Sequence, residues 1–335
     1  MADSIESDRE ATDSTAAEFL EPQPAECCGG GDEVHSCSIV SADGIVRPGP
    51  LGGCPIALYW KQIRATFRQQ STSWEVARQG YSLQGRTWGN GPPLYILCGM
   101  GSTLTAFCLL VYLLKDSFRC VIFNYPGSVK SKSAGRRATI ATLRDDLLAA
   151  ADFHGDRQFH IFANSFGGLA ALETLRAAPD RIVRAVIQGG FARRRFSLTE
   201  WAIAIAGSLL PGRLRSLPGA KALQERNHRR WFPSHDPTRW QFFLEDAGTV
   251  PNATLGRRGV LIGASDLRSD LPQIKQPVLL IRSEGDELVP AHCHDELMQG
   301  LPNAKSEWMP NAGHLPHLTN PHRLAKSISE FLLPS

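Results

Sequence analysis

Short apolar runs alternate with stretches of helical period along most of this chain, and that alternation restricts its fold more than any other feature. Leu94 to Cys98 is an apolar run bounded by glycine, Thr105 to Leu114 is long enough for a helix, and Cys120 to Phe123 is a second short run ending at Pro126-Gly127. Ile140, Leu143, Leu147, Leu148 and Ala151 then recur at helical spacing. The run Phe159 to Ala163 and a helical stretch from Gly168 to Ala178 follow, closed by Pro179. Val183 to Ile187 and Val278 to Ile281 are further β-branched runs, and Leu324, Ile328, Phe331 and Leu332 mark a final amphipathic helix. Upstream, Trp74 to Trp88 predicts two short strands before the Asn90-Gly91-Pro92-Pro93 break. Strands joined through helices pair in parallel, so the expected class is α/β: a mainly parallel central sheet with helices on both faces.

Composition narrows this further. With 335 residues, 42% of them apolar, the chain can build a large core, and a wholly disordered or collagen-like chain is excluded. A formal charge of +3 is too near neutral to argue by itself for nucleic acid, so no nucleic-acid partner is expected and any argument from charge must be local. Leu94 to Leu114 is uncharged and long enough to cross a bilayer, but Gly99, Gly101, Ser102 and Thr103 interrupt it, so no stable membrane span is expected. The eight cysteines are spread too widely for a disulfide framework. Cys27, Cys28, His35 and Cys37 cluster without zinc-site spacing, so no metal is expected.

Three parts are expected. Residues 1–55 form an acidic, disordered tail: the first 33 carry ten acids and one Arg, the opposite of a signal-peptide head, which points to a cytoplasmic protein. Residues 56–190 and 271–335 form the α/β core. Between them, 191–270 is a helical insertion with Asp236-Pro237 as a helix start. It holds thirteen Arg/Lys against seven acids, read foremost as a solvated cationic surface and more weakly as an attractor of anionic lipids or carboxylated substrates. Its aromatic residues, Trp201, Trp231, Phe232, Trp240, Phe242 and Phe243, divide between its own core and an apolar pocket.

The segment His160-Ile161-Phe162-Ala163-Asn164-Ser165-Phe166-Gly167-Gly168 carries the chemistry. An apolar strand meets small residues and then a helix, the setting in which a serine projects from a sharp turn so that a base can reach its hydroxyl. Ala163 stands where the Gly-x-Ser-x-Gly pattern has its first glycine.

On these residues the chain resembles the α/β-hydrolase superfamily over about residues 74 to 333, as a serine hydrolase with a helical cap at 191–270. The resemblance extends to four further places. Cys98-Gly99-Met100-Gly101-Ser102 follows an early strand, and the family's oxyanion-hole N–H groups map to Met100 and Phe166. Asn124-Tyr125-Pro126-Gly127-Ser128-Val129-Lys130-Ser131 resembles a structural turn of the family, departing from it at Asn124 and Val129. Asp286 matches the family's acid four residues before Pro290, with Glu284 in reserve. His314 follows Gly313 as the family's base does, and His317 comes too late and shapes the loop. The order Ser165, Asp286, His314 is that of the superfamily's triad.

The resemblance implies attack by Ser165 on an ester or related acyl bond and an acyl-enzyme intermediate, without cofactor or metal. It is the signature of a carboxylesterase or lipase-like enzyme acting on a small, apolar acyl substrate. An acyltransferase using the same triad, and a non-catalytic binding protein on the same fold, stay open as alternatives.

Overall fold

β5 (Phe159–Asn164) is the pivot of the architecture: all six of its residues are buried, so both faces of the sheet are covered where it runs. The computed structural model describes residues 58–128, 138–234 and 236–333. The expected tail, the Cys27, Cys28, His35 and Cys37 cluster and the Val129-Lys130-Ser131 end of the turn lie outside the described residues.

The sheet has eight strands. β1 (Thr72–Arg78), β2 (Tyr81–Trp88), β3 (Pro93–Leu97), β4 (Arg119–Phe123), β6 (Ile182–Gln188), β7 (Val278–Ser283) and β8 (Ala304–Met309) join β5 in the spatial order β1-β2-β4-β3-β5-β6-β7-β8. β1 and β2 form an antiparallel hairpin and β2 runs antiparallel to β4. Every pairing from β4 through β8 is parallel. The order turns back at β3, which has β4 on one side and β5 on the other. In open parallel sheets this reversal opens a crevice at the carboxyl ends of the strands.

Helices α1 (Trp60–Gln70), α2 (Cys108–Leu114) and α11 (Pro321–Leu332) pack as one group, α1 and α11 both against α2, while α3 (Ile140–Phe153) packs on α4 (Gly167–Ala177). The predicted helix from Thr105 is tighter at its start, a 3-10 turn over Leu104–Phe107 that passes into α2. Between β6 and β7 the chain leaves the sheet for α5 (Leu198–Leu209), α6 (Ala220–His228), α7 (Thr238–Asp246) and α8 (Asn252–Ala264). α5 opens with a reciprocal cap, Glu200 N–H donating to Ser197 Oγ at 3.2 Å and Ser197 N–H to Glu200 Oε2 at 2.8 Å. Asp236 accepts from the first N–H of α7, Thr238, at 3.2 Å. The chain returns through α9 (Ala291–Gly300) and a short α10 (Pro316–Thr319).

α1 was not anticipated, although Trp60, Ile63 and Phe67 recur at helical spacing and are its buried positions. Trp60 stacks on Phe242 of α7 at 4.9 Å between ring centroids, which fastens the helix to the excursion. The four described cysteines, Cys98, Cys108, Cys120 and Cys293, are free and buried. Among the described residues no helix is long and apolar enough to cross a membrane.

Candidate active site

Ser165 sits where β5 turns into α4, with φ at 52°. That left-handed value is costly for a residue with a Cβ, and the surroundings enforce it. Ser165 N–H donates to Gln188 O on β6 at 2.9 Å, and Gly168 N–H donates back to Ser165 O at 2.8 Å. The next helical residue must be glycine, because a Cβ on Gly167 would stand 2.5 Å from the carbonyl oxygen of Leu97. Ala163, at the departed position, is buried in β5 between Leu97 and Ile187.

The loops after β7 and β8 run side by side. Glu284 N–H donates to Met309 O at 3.0 Å, and Gly285 N–H donates to Ala312 O at 2.9 Å. They bring His314 Nδ1 to 2.8 Å from Asp286 Oδ2, with both side chains less than 10% exposed (9% and 6%). Asp286 Oδ1 accepts from the N–H groups of Leu288 and Val289, each at 3.0 Å. Burial opposes a charge on Asp286, but the imidazole and the two N–H donors outweigh it and hold the carboxyl below its ordinary value. Gly189 makes room for this pair: its φ is +57°, and a Cβ there would lie 2.9 Å from Asp286 Oδ2. Glu284 is engaged elsewhere, accepting from Asn311 N–H at 2.8 Å.

A cavity of about 330 Å³ opens over this arrangement, and Met100, Ser165 and His314 all line it. Phe191, Phe242, Phe243, Leu255, Ile262 and Leu318 supply much of its apolar wall, so Phe242 and Phe243 serve both the packing of the excursion and the cavity. Phe166 lies beneath, fully buried at the start of α4. Trp231 covers the backbone of both side-chain loops: a Cβ on Gly285 or on Gly313 would fall within 1.6 Å or 2.5 Å of its indole. Among the described residues, no group of three or more His, Cys, Asp or Glu side chains is arranged to hold a metal ion.

Four polar residues at the site carried no functional signal in the sequence. Arg258 of α8 was counted among the solvated cations. The structure corrects this, for Arg258 is 3% exposed and Arg239 is 8% exposed. Arg258 donates to Met100 O and to Ser128 Oγ, both at 2.6 Å, and to Pro126 O at 3.3 Å. Its guanidinium also lies 5.4 Å from the Tyr125 ring and 5.9 Å from that of Phe166. Burial lowers its pKa to about 10. Asp246 lines the cavity and takes both donors of Thr103, its N–H at 3.1 Å and its hydroxyl. Burial raises the Asp246 carboxyl to about 6.

His228 and His317 also line the cavity. Burial first, and then the nearby His314, lower His228 to about 4 and His317 to about 3. His317, expected only to shape its loop, is fully buried and stacks on Phe107 at 4.1 Å. Neither of its ring nitrogens has a hydrogen-bond partner among the described residues.

Comparisons with known proteins agree with this architecture. A family model of the alpha/beta hydrolase fold matches residues 92–321, and the chain belongs to that family. The pimeloyl-[acyl-carrier protein] methyl ester esterase of Nitrosomonas europaea is 29% identical over 251 residues, covering 72% of this chain and 96% of the relative. Among solved structures, the enol-lactonase of Burkholderia xenovorans LB400 superposes with a TM-score of 0.68 at 23% identity, covering 77% of this chain and 99% of its own. A hydrolase from Pseudomonas aeruginosa PA01 gives the same TM-score and identity over 78% of this chain and 98% of its own.

Proposed function

We propose that this chain is a serine hydrolase of a carboxylic ester or related acyl bond. Ser165 is the nucleophile, His314 the base and Asp286 the group that fixes the histidine's tautomer. The observation that carries this reading is the 2.8 Å contact between His314 Nδ1 and Asp286 Oδ2, at the edge of a cavity whose wall includes Ser165 in a left-handed conformation. A hydroxyl is a poor nucleophile until a base within reach takes its proton, and a base is effective only when its other nitrogen is held as a donor.

In this reaction Ser165 Oγ attacks the acyl carbon as its proton passes to His314 Nε2. The alcohol leaves with that proton, and water, deprotonated by the same imidazole, releases the acid. The backbone N–H groups of Met100 and Phe166 receive the developing oxyanion, where one such donor is worth ~100 to 1,000-fold in rate. The excursion between β6 and β7 acts as the cap. Its aromatic wall favours a small, apolar acyl group, in keeping with the esterase and lactonase named among the relatives.

The test is labelling of the full chain with a fluorophosphonate, comparing the native protein with Ser165→Ala. Labelling of the native chain alone is the expected result; equal labelling of both removes Ser165 from the role. A panel of p-nitrophenyl esters of increasing acyl length then reports the depth of the cavity.

A further inference from the structure

Helix α5 is built the wrong way round for a surface helix in water. It docks on α8 through small residues: Ala204 is its buried position, and a Cβ on Gly256 would stand 2.0 Å from Ser208 N and 2.6 Å from Ala204 O. Its bulky aliphatic side chains point away. Leu198, Ile203, Ile205 and Leu209 are 89%, 67%, 52% and 80% exposed. Leu198, Ala202, Ile205 and Leu209 recur with helical period and form one stripe. Leu210, Leu217 and Leu223, further along the chain, are exposed too, so seven of the twelve large exposed hydrophobics among the described residues fall within 198–223. Isolated exposed leucines are ordinary, whereas a cluster of this kind marks a surface that meets something apolar.

The charge around the stripe selects the partner. Residues 198–234 hold six Lys/Arg against two acids, and Arg215, Lys221, Arg226, Arg229 and Arg230 are exposed. One of the acids, Glu200, is already held by Arg194 at 2.7 Å. A second copy of this face would bring cations against cations. An anionic bilayer instead offers hydrocarbon to the stripe and phosphates to the cations.

We propose that α5 and the basic segment after it seat on an anionic lipid surface, with α5 lying in the plane of the interface. Phe196, Glu200, Leu214 and Gln224, from the same stretch, line the cavity, so an apolar molecule leaving the bilayer arrives beside Ser165. That last consequence rests on the reading of Ser165 as nucleophile; the lipid binding does not.

The test sediments the full chain with vesicles of phosphatidylcholine, and with vesicles in which about a third of the lipid is phosphatidylglycerol. The native chain is expected to pellet with the anionic vesicles, and less so as salt rises. Leu198→Gln/Ile205→Gln/Leu209→Gln is expected to bind them at least ~10-fold more weakly. It should do so with an unchanged thermal melt and unchanged hydrolysis of a soluble short ester. Arg215→Gln/Lys221→Gln/Arg226→Gln loses roughly fivefold per cation, about 100-fold in all. A native chain that stays in the supernatant, or one whose pelleting neither triple variant weakens, overturns the proposal. So does a native dimer by light scattering that the aliphatic triple variant dissociates while no vesicle binding is seen, which gives the face to a second copy. Fluorophosphonate labelling of Ser165 in the same samples reports separately on the catalytic reading.

Discussion

Asp286→Asn is the substitution whose outcome the geometry dictates most closely. The carboxylate accepts on both oxygens: Oδ1 from the N–H groups of Leu288 and Val289, each at 3.0 Å, and Oδ2 facing His314 Nδ1 at 2.8 Å. A carboxamide has only one acceptor oxygen. Turned so that its NH₂ meets the two backbone donors, it leaves them unpaired at about 1 to 3 kcal/mol each, so the oxygen stays in the turn and the NH₂ faces His314. Nδ1 must then accept, the ring proton moves to Nε2, and a protonated Nε2 cannot take the proton of Ser165.

The expected loss is ~10,000-fold in kcat, about 5.4 kcal/mol in the barrier, with KM for p-nitrophenyl acetate little changed because no substrate contact is altered. Both hydrogen bonds of the turn survive, so the thermal melt should stay close to that of the native chain. Glu284→Gln is the control: its carboxylate serves Asn311 N–H at 2.8 Å, and activity should fall by no more than about threefold. A folded Asp286→Asn protein retaining a tenth or more of native kcat would refute the tautomer argument.

Three further outcomes follow from the same geometry. Arg258→Met removes the donor to Met100 O and is expected to lower kcat for p-nitrophenyl acetate ~10 to 100-fold with KM nearly constant, partly restored by Arg258→Lys; an unchanged kcat in a folded variant would mean that the guanidinium's hold on the Met100 loop does not serve the reaction. Ser165→Gly relieves the φ of 52° and should melt about 2 °C above Ser165→Ala while both stay inactive, so equal melting would mean that the turn stores no strain. The third concerns His317. Its folded pKa, about 3, lies below its ordinary value, so the unfolded chain binds the extra proton and His317 costs stability as pH falls below about 6.5. His317→Leu should therefore gain about 2 kcal/mol on the native chain between pH 7 and pH 5, read from urea melts at each pH, and no relative gain would mean that the ring is solvated.

The elements that could be read in the sequence were those buried on both faces. A strand such as Phe159–Asn164 has no solvent side, so its apolar run is continuous and visible without a partner. The serine elbow was legible because its constraint is local: a left-handed residue between a buried strand and a helix needs small neighbours. Arg258 was not, because whether a guanidinium meets water or three carbonyl and hydroxyl oxygens depends on two loops more than a hundred residues upstream. His317 failed for the opposite reason. Its position suggested a loop role, and its charge state is set by burial, to which the stacked Phe107 contributes, and by the nearby His314 and His228, an environment that the local sequence does not show. The outward stripe of α5 was not legible either, because its direction depends on a neighbour: the same residues would read as a core-facing stripe had α8 presented large side chains in place of Gly256 and Gly259.

The meeting of Asp286 with His314 depends on strand register more than on either loop. β7 and β8 pair in parallel with Ser283 opposite Met309, so the two loops leave the sheet at the same level, and Asp286 and His314 follow three and five residues later. A slip of one residue would displace one loop by about 3.3 Å, enough to break a 2.8 Å contact, and would turn every side chain of the slipped strand to the other face. Such a slip is resisted at Met309 of β8, which is 0% exposed and would change places with Trp308, 48% exposed. Ser165 is held by the same device from the other direction, since Asn164 pairs with Gln188 on β6 and β6 with β7. The spacing of the three side chains is thus fixed by apolar residues that touch no substrate, and this is why residues more than a hundred positions apart can share one cavity.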